Sequence, residues 1–159
     1  MKKSGKAILC LLLICGIAIA CIGCSSLLKS PGSYVGVIRT NWGIELPSAG
    51  AHEVFGYSEP SFHGDGIRYH VIEYPVGEET KKAQDSVSLL EEIFRNSSYP
   101  TEKQIADVEH FIKDIEVKED WIPCWIECKL IYQRHQDSSE LFLFYQSETG
   151  TVYVVESFL

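Results

Sequence analysis

Leu141-Phe142-Leu143-Phe144-Tyr145 is the stretch that leaves this chain the fewest options. Five consecutive apolar residues offer no polar side to water. As a strand, such a run belongs at the centre of a sheet with cover on both faces. Glu148-Thr149-Gly150 after it reads as a hairpin turn, and Thr151 to Glu156 (TVYVVE) as the next strand. Before it, Trp121-Ile122-Pro123 leads into a further strand. There Ile126, Cys128, Leu130 and Tyr132 face one way, and Glu127, Lys129 and Gln133 the other. Trp121 and Trp125, on either side of Pro123, are expected to pack in the core or at its rim.

Upstream the period changes. Ala83, Val87, Leu90 and Phe94 recur at helical spacing within Thr80 to Asn96, which predicts an amphipathic helix ended by Asn96-Ser97-Ser98. Thr101 with Gln104 three residues on is a capping box, and Ile105, Val108, Ile112 and Ile115 make the stripe of a second helix. Pro100 and the short connection suggest two helices packed side by side or at an angle. His52 to Tyr57 and Ile67 to Tyr74 read as strands joined through Gly64-Asp65-Gly66, where glycine supplies the positive φ of a tight turn. Tyr34 to Trp42 suits a short helix or a strand. The order of strand pair, helix pair and strand triplet predicts an α+β domain. It is an antiparallel sheet of about five strands with two amphipathic helices packed on one face.

The first 26 residues carry a different message. Lys2, Lys3 and Lys6 precede a 16-residue apolar run, Ala7 to Ile22, that is shorter than the roughly 20 residues of a spanning helix. This is the three-part pattern of a secretory signal. Its end, Cys21-Ile22-Gly23-Cys24-Ser25-Ser26, resembles the lipobox of bacterial lipoproteins. That resemblance implies a diacylglycerol on a cysteine thiol, cleavage before that cysteine by signal peptidase II, and anchoring outside the cytoplasmic membrane. Cys24 after Gly23 is the expected lipidation site, and Cys21 after Ala18-Ile19-Ala20 is the alternative. Both depart from the family at the third position upstream, where leucine is usual. An uncleaved anchor helix is the competing reading. The expected organisation is a signal peptide at 1–23, a lipidated tether at 24–32, and one α+β domain at 33–159. Two acyl chains make such an anchor stable.

Losing the three leader lysines takes the formal charge from −8 to −11. Phosphates repel so acidic a domain, which argues against nucleic acid as partner. An anionic membrane surface repels it too, so contact with lipid is expected through the anchor alone. Four of the six cysteines lie in the leader, leaving Cys124 and Cys128 for the domain. On one strand, four residues span about 13 Å at ~3.3 Å each, beyond the ~7 Å that a disulfide tolerates. A helical turn over Pro123 to Glu127 brings them within reach. Buried, unpaired thiols are the expectation.

The segments Gly43-Ile44-Glu45-Leu46, Phe62-His63-Gly64-Asp65-Gly66, Leu141 to Tyr145 and Val152-Tyr153 resemble a group of small, uncharacterised Gram-positive bacterial proteins with an FHGDG hairpin. The resemblance implies a related fold and carries no activity. Within it, His63 and Asp65 are the residues whose spacing can gather a ligand, a metal or a partner. His70 and Glu73 on the next strand are possible further ligands toward the three or four that zinc needs. Gly64 and Gly66 shaping a turn is the simpler account. His52, His110 and His135 are isolated. A lipid-anchored extracytoplasmic binding module is therefore expected: an immunity-type inhibitor, an envelope-complex subunit or a sensor. It would have a protein partner and need no cofactor. The alternative is a small metal-dependent or acid/base enzyme centred on His63 and Asp65.

Overall fold

The computed structural model describes residues 32–48, 51–57, 66–77 and 80–159. Among them are three α-helices, α1 (Gly32–Trp42), α2 (Lys81–Ile93) and α3 (Glu102–Asp114). The strands are β1 (Ala51–Tyr57), β2 (Gly66–Glu73), β3 (Lys129–Arg134), β4 (Glu140–Gln146) and β5 (Thr151–Phe158). They form one antiparallel sheet in the order β1-β2-β5-β4-β3. β5, last of these in sequence, lies at the middle. It pairs with β2 from Gly66↔Phe158 to Glu73↔Thr151 and with β4 from Glu140↔Ser157 to Gln146↔Thr151.

The α+β class and the antiparallel sheet are as the sequence predicts, but the helices do not share a face. α1 and α2 cover one side, where Tyr34, Ile38, Trp42, Leu90 and Phe94 pack on Ile72, Leu141, Leu143, Val152 and Val154. α3 covers the other side, where Val108 and Ile112 pack on Tyr69, Val71, Phe142, Phe144 and Val155. The physical reason is the five-residue apolar run itself. Leu141 to Tyr145 are all buried, and successive side chains of a strand point to opposite faces. Covering one face alone would leave Phe142 and Phe144 in water. The connector between α2 and α3 makes the change of side possible. It crosses the outer edge of β3, where Leu130 N–H donates to the Ser98 carbonyl at 2.8 Å.

Local chemistry sets the element ends. The Thr80 hydroxyl accepts from the Ala83 N–H at the start of α2. Thr101 and Gln104 form the expected capping box at the start of α3. α1 resolves as a helix because Tyr34, Val35, Ile38 and Trp42 lie on one helical stripe and all four are buried. Gly43, at φ 70°, then turns the chain so that Ile44 and Leu46 also reach the core. β3 starts later than the alternation from Trp121 suggests. Residues Glu119–Trp121 and Trp125–Glu127 form 3-10 turns, and Ile126 points into solvent instead of along a strand face. Pro123 between the turns has no N–H for a ladder. In β1 the register slips between Val54 and Gly56. A Cβ on Gly56 would lie 3.0 Å from the Ile115 carbonyl oxygen, so the absence of a side chain at 56 lets the end of α3 come close to the sheet.

Candidate functional site

β5 carries valines at 152 and 154 on the α1 side, and the two-residue period puts Glu156 on that side next. Glu156 is fully buried. A carboxylate in such a place needs partners for its oxygens, and α1 supplies them. Tyr34 Oη donates to Oε2 at 2.8 Å, and Trp42 Nε1 donates to Oε1 at 2.7 Å. Tyr34 and Trp42 are eight residues apart, close to two helical turns, so one stripe of α1 delivers both donors. Each donor ring is in turn held by a histidine. The His70 imidazole stacks on Tyr34 with ring centroids 3.6 Å apart, and His135 lies against Trp42 at 4.3 Å.

Burial first, and then the adjacent Glu156 carboxylate, push the Tyr34 hydroxyl well above its ordinary pKa, with Arg68 acting in the opposite sense. Tyr34 therefore keeps its proton and remains a donor. Arg68 stands opposite Glu156 in the β2–β5 register, yet its guanidinium is placed over the Phe158 ring, 4.7 Å from the centroid. Carboxylate, phenol, indole and two imidazoles thus meet where the inner stripe of α1, the middle of β2, the end of β5 and the β3–β4 turn converge. The carboxylate is closed over, and its two oxygens hold down a helix.

Sequence reasoning did not find this centre. Glu156 reads as the polar end of TVYVVE, although its parity with Val152 and Val154 was visible, as was the eight-residue spacing of Tyr34 and Trp42. His135, read as isolated, touches Trp42. His63 and Asp65 lie outside the described residues, as do Cys21 and Cys24. Of the proposed extra ligands, His70 is 6% exposed on the α1 face while Glu73 is exposed. Three residues apart on a strand they point to opposite sides, so they cannot serve one ion. Among the described residues there is no group of three His, Cys, Asp or Glu side chains that could hold a metal.

Cys124 and Cys128 are both unpaired, but Cys124 is exposed rather than buried. The Trp125–Glu127 turn lies between them, and the Cys128 thiol donates to the Cys124 carbonyl at 3.7 Å. Burial chiefly, then Cys124 and Glu127, push the Cys128 thiol up to about 12, which keeps it protonated and inert. Trp125 packs inward on Phe144 at 4.5 Å, and the half-buried Trp121 lends its carbonyl to the Tyr69 hydroxyl at 2.7 Å. Surface grooves of about 480 Å³, beside Lys81, Asp85 and Leu89, and about 430 Å³, beside Tyr99, Ile126, Glu127 and Glu148, are lined by residues outside the Glu156 centre. Among the described residues no helix is long and apolar enough to cross a membrane. No family model, curated protein or solved structure matches the chain.

Proposed function

We propose that this chain is a lipoprotein-type interaction module, tethered to the outer face of the cytoplasmic membrane through Cys24, with Cys21 as the alternative, and acting through a protein partner. The observation that carries this reading is the position of α1. It begins at Gly32, eight residues after Cys24, and its inner stripe is clamped to the buried Glu156. The segment next to the leader is thus built into the domain, which seats the sheet close to the membrane. The centre where polar side chains gather is used for that clamping. The acidic balance of the chain favours a protein over nucleic acid or a lipid surface as the contact.

Metabolic palmitate labelling tests the anchor. Label lost in Cys24→Ala supports it, label lost only in Cys21→Ala moves the site, and label in no form of the protein overturns it. Affinity capture from detergent-solubilised membranes, with mass spectrometry, tests the partner. A metal near one equivalent per chain, lost in His63→Ala, would replace this reading with a metal-dependent enzyme centred on His63 and Asp65.

A further inference from the structure

We infer that α1 is a releasable helix, which docks on the sheet and leaves it as one unit, with Glu156 as the group that makes docking all-or-none. Three observations lead there. The carboxylate is fully buried, and among the described residues its hydrogen-bond donors, Tyr34 and Trp42, both come from α1. The sheet does not depend on α1 for its ladder, because β2, β5 and β4 pair along their lengths and α3 covers their other face. α1 also precedes every strand in sequence, so its release drags no strand out of register.

The energetics of a buried charge then favour two states over a continuum. With both donors in place the carboxylate is satisfied. With α1 gone, water satisfies it. A helix that keeps Tyr34 seated while Trp42 lifts leaves a desolvated carboxylate with a missing partner, the costly arrangement. An apolar residue at 156 would permit gradual sliding, since dispersion contacts carry no direction. Glu156 forbids the intermediate position. If the chain is tethered as proposed above, release has a mechanical result. Eleven residues span about 16 Å as a helix but up to roughly 36 Å when extended, so the sheet gains reach from its anchor without unfolding.

Native-state hydrogen exchange on the full chain in detergent micelles tests this. Peptides covering residues 32–42 are expected to exchange through an opening with a shallower denaturant dependence than β4 and β5, because the sheet, α2 and α3 stay packed and less surface is exposed than in global unfolding. Peptides covering β4 and β5 should show the steep dependence of global unfolding. Tyr34→Phe removes one bond to the carboxylate, and Glu156→Gln takes the charge from both and sets an amide N–H against one donor. Each should raise exchange in 32–42 about ten- to a hundredfold. β4, whose global opening breaks the same bonds, should rise by a like factor and stay the slower of the two. Should either variant not fold, the wild-type denaturant slopes decide alone. Equal slopes for 32–42 and β4, or variants that leave exchange in 32–42 unchanged, overturn the inference. Failure of the tethered reading registers separately, as missing lipid label, and leaves the exchange result standing.

Discussion

On the side of α1 and α2, the inward residues Leu141, Leu143, Val152 and Val154 lead to a carboxylate; on the side of α3, Phe142, Phe144 and Val155 lead to a tryptophan. Both faces are buried, but the polar atoms in them fare differently. The indole N–H of Trp42 meets Glu156 at 2.7 Å. The indole N–H of Trp125 is buried and finds no acceptor among the described residues. One face therefore fixes its covering helix by direction as well as by area. The other fixes its helix by area and shape, through Val108, Ile112 and half-buried Ile105 and Phe111. A hydrogen-bonded pair specifies one seat, whereas apolar contacts tolerate small shifts.

The largest effects test whether both faces are core. Leu143 and Phe144 are neighbours on β4, fully buried on opposite sides. Leu143→Ala should cost about 2–5 kcal/mol and Phe144→Ala about 3–5 kcal/mol, measured by denaturant unfolding. A cost below about 1 kcal/mol for either would make that face a loose cover instead of a core. The next comparison trades the two indoles. Trp42→Phe loses a bond to a charged group, while Trp125→Phe removes a donor with no acceptor among the described residues. Trp42→Phe should be the more destabilising by about 1.5–3 kcal/mol. Equal costs would mean that the Glu156 contact adds nothing beyond packing.

Alkaline titration gives a smaller, face-specific effect. Cys128, on the α3 side, is raised from 9.0 to about 12. Tyr145, on the α1 and α2 side, is raised from 10.0 to about 12, by burial first and then by Glu91. Below pH 9 both groups are neutral in the folded and unfolded chains alike, and their contribution is fully present. Above it the unfolded chain ionises first, so stability falls as pH rises toward 12. Thermal unfolding should show the decline starting near pH 9 in the parent and nearer pH 10 in Cys128→Ala. An unchanged onset would discard the thiol's part.

The smallest effect is a gain. After α3, Glu116 N–H donates to the Lys113 carbonyl and Val117 N–H to the Ile112 carbonyl, with Glu116 at φ 55°. This is the helix-ending motif that favours glycine. Glu116→Gly should stabilise by about 0.5–1 kcal/mol, read from the urea midpoint. A loss would mean that the Glu116 side chain holds the end of α3 in another way.

Local signals were legible in the sequence. Thr101 with Gln104 marked the start of α3, helical spacing marked α2, and the alternation through Val152 and Val154 marked β5. The placement of the helices was not, because a short connection suggests adjacency and nothing in Asn96 to Pro100 announces a crossing over the edge of β3. The cue lay elsewhere, in Leu141 to Tyr145, whose demand for cover on both sides is incompatible with two helices on one face. The Glu156 centre escaped because its members are 114 and 122 residues apart in sequence. Single-residue reading assigns glutamate to the surface, and only the parity of β5 argued otherwise.

The place of β5 in the sheet also orders events in time. β3, β4 and β5 are joined by short turns and can associate as soon as they exist, but β1 and β2 precede β5 by some eighty residues of chain and pair with nothing else in the sheet. An isolated two-stranded hairpin is barely stable in water. A polypeptide emerging amino end first, from a ribosome or through a membrane pore, thus has no sheet to collapse onto until Thr151 to Phe158 are out. It stays threadable until then, and closes around the strand that follows the other described strands in sequence.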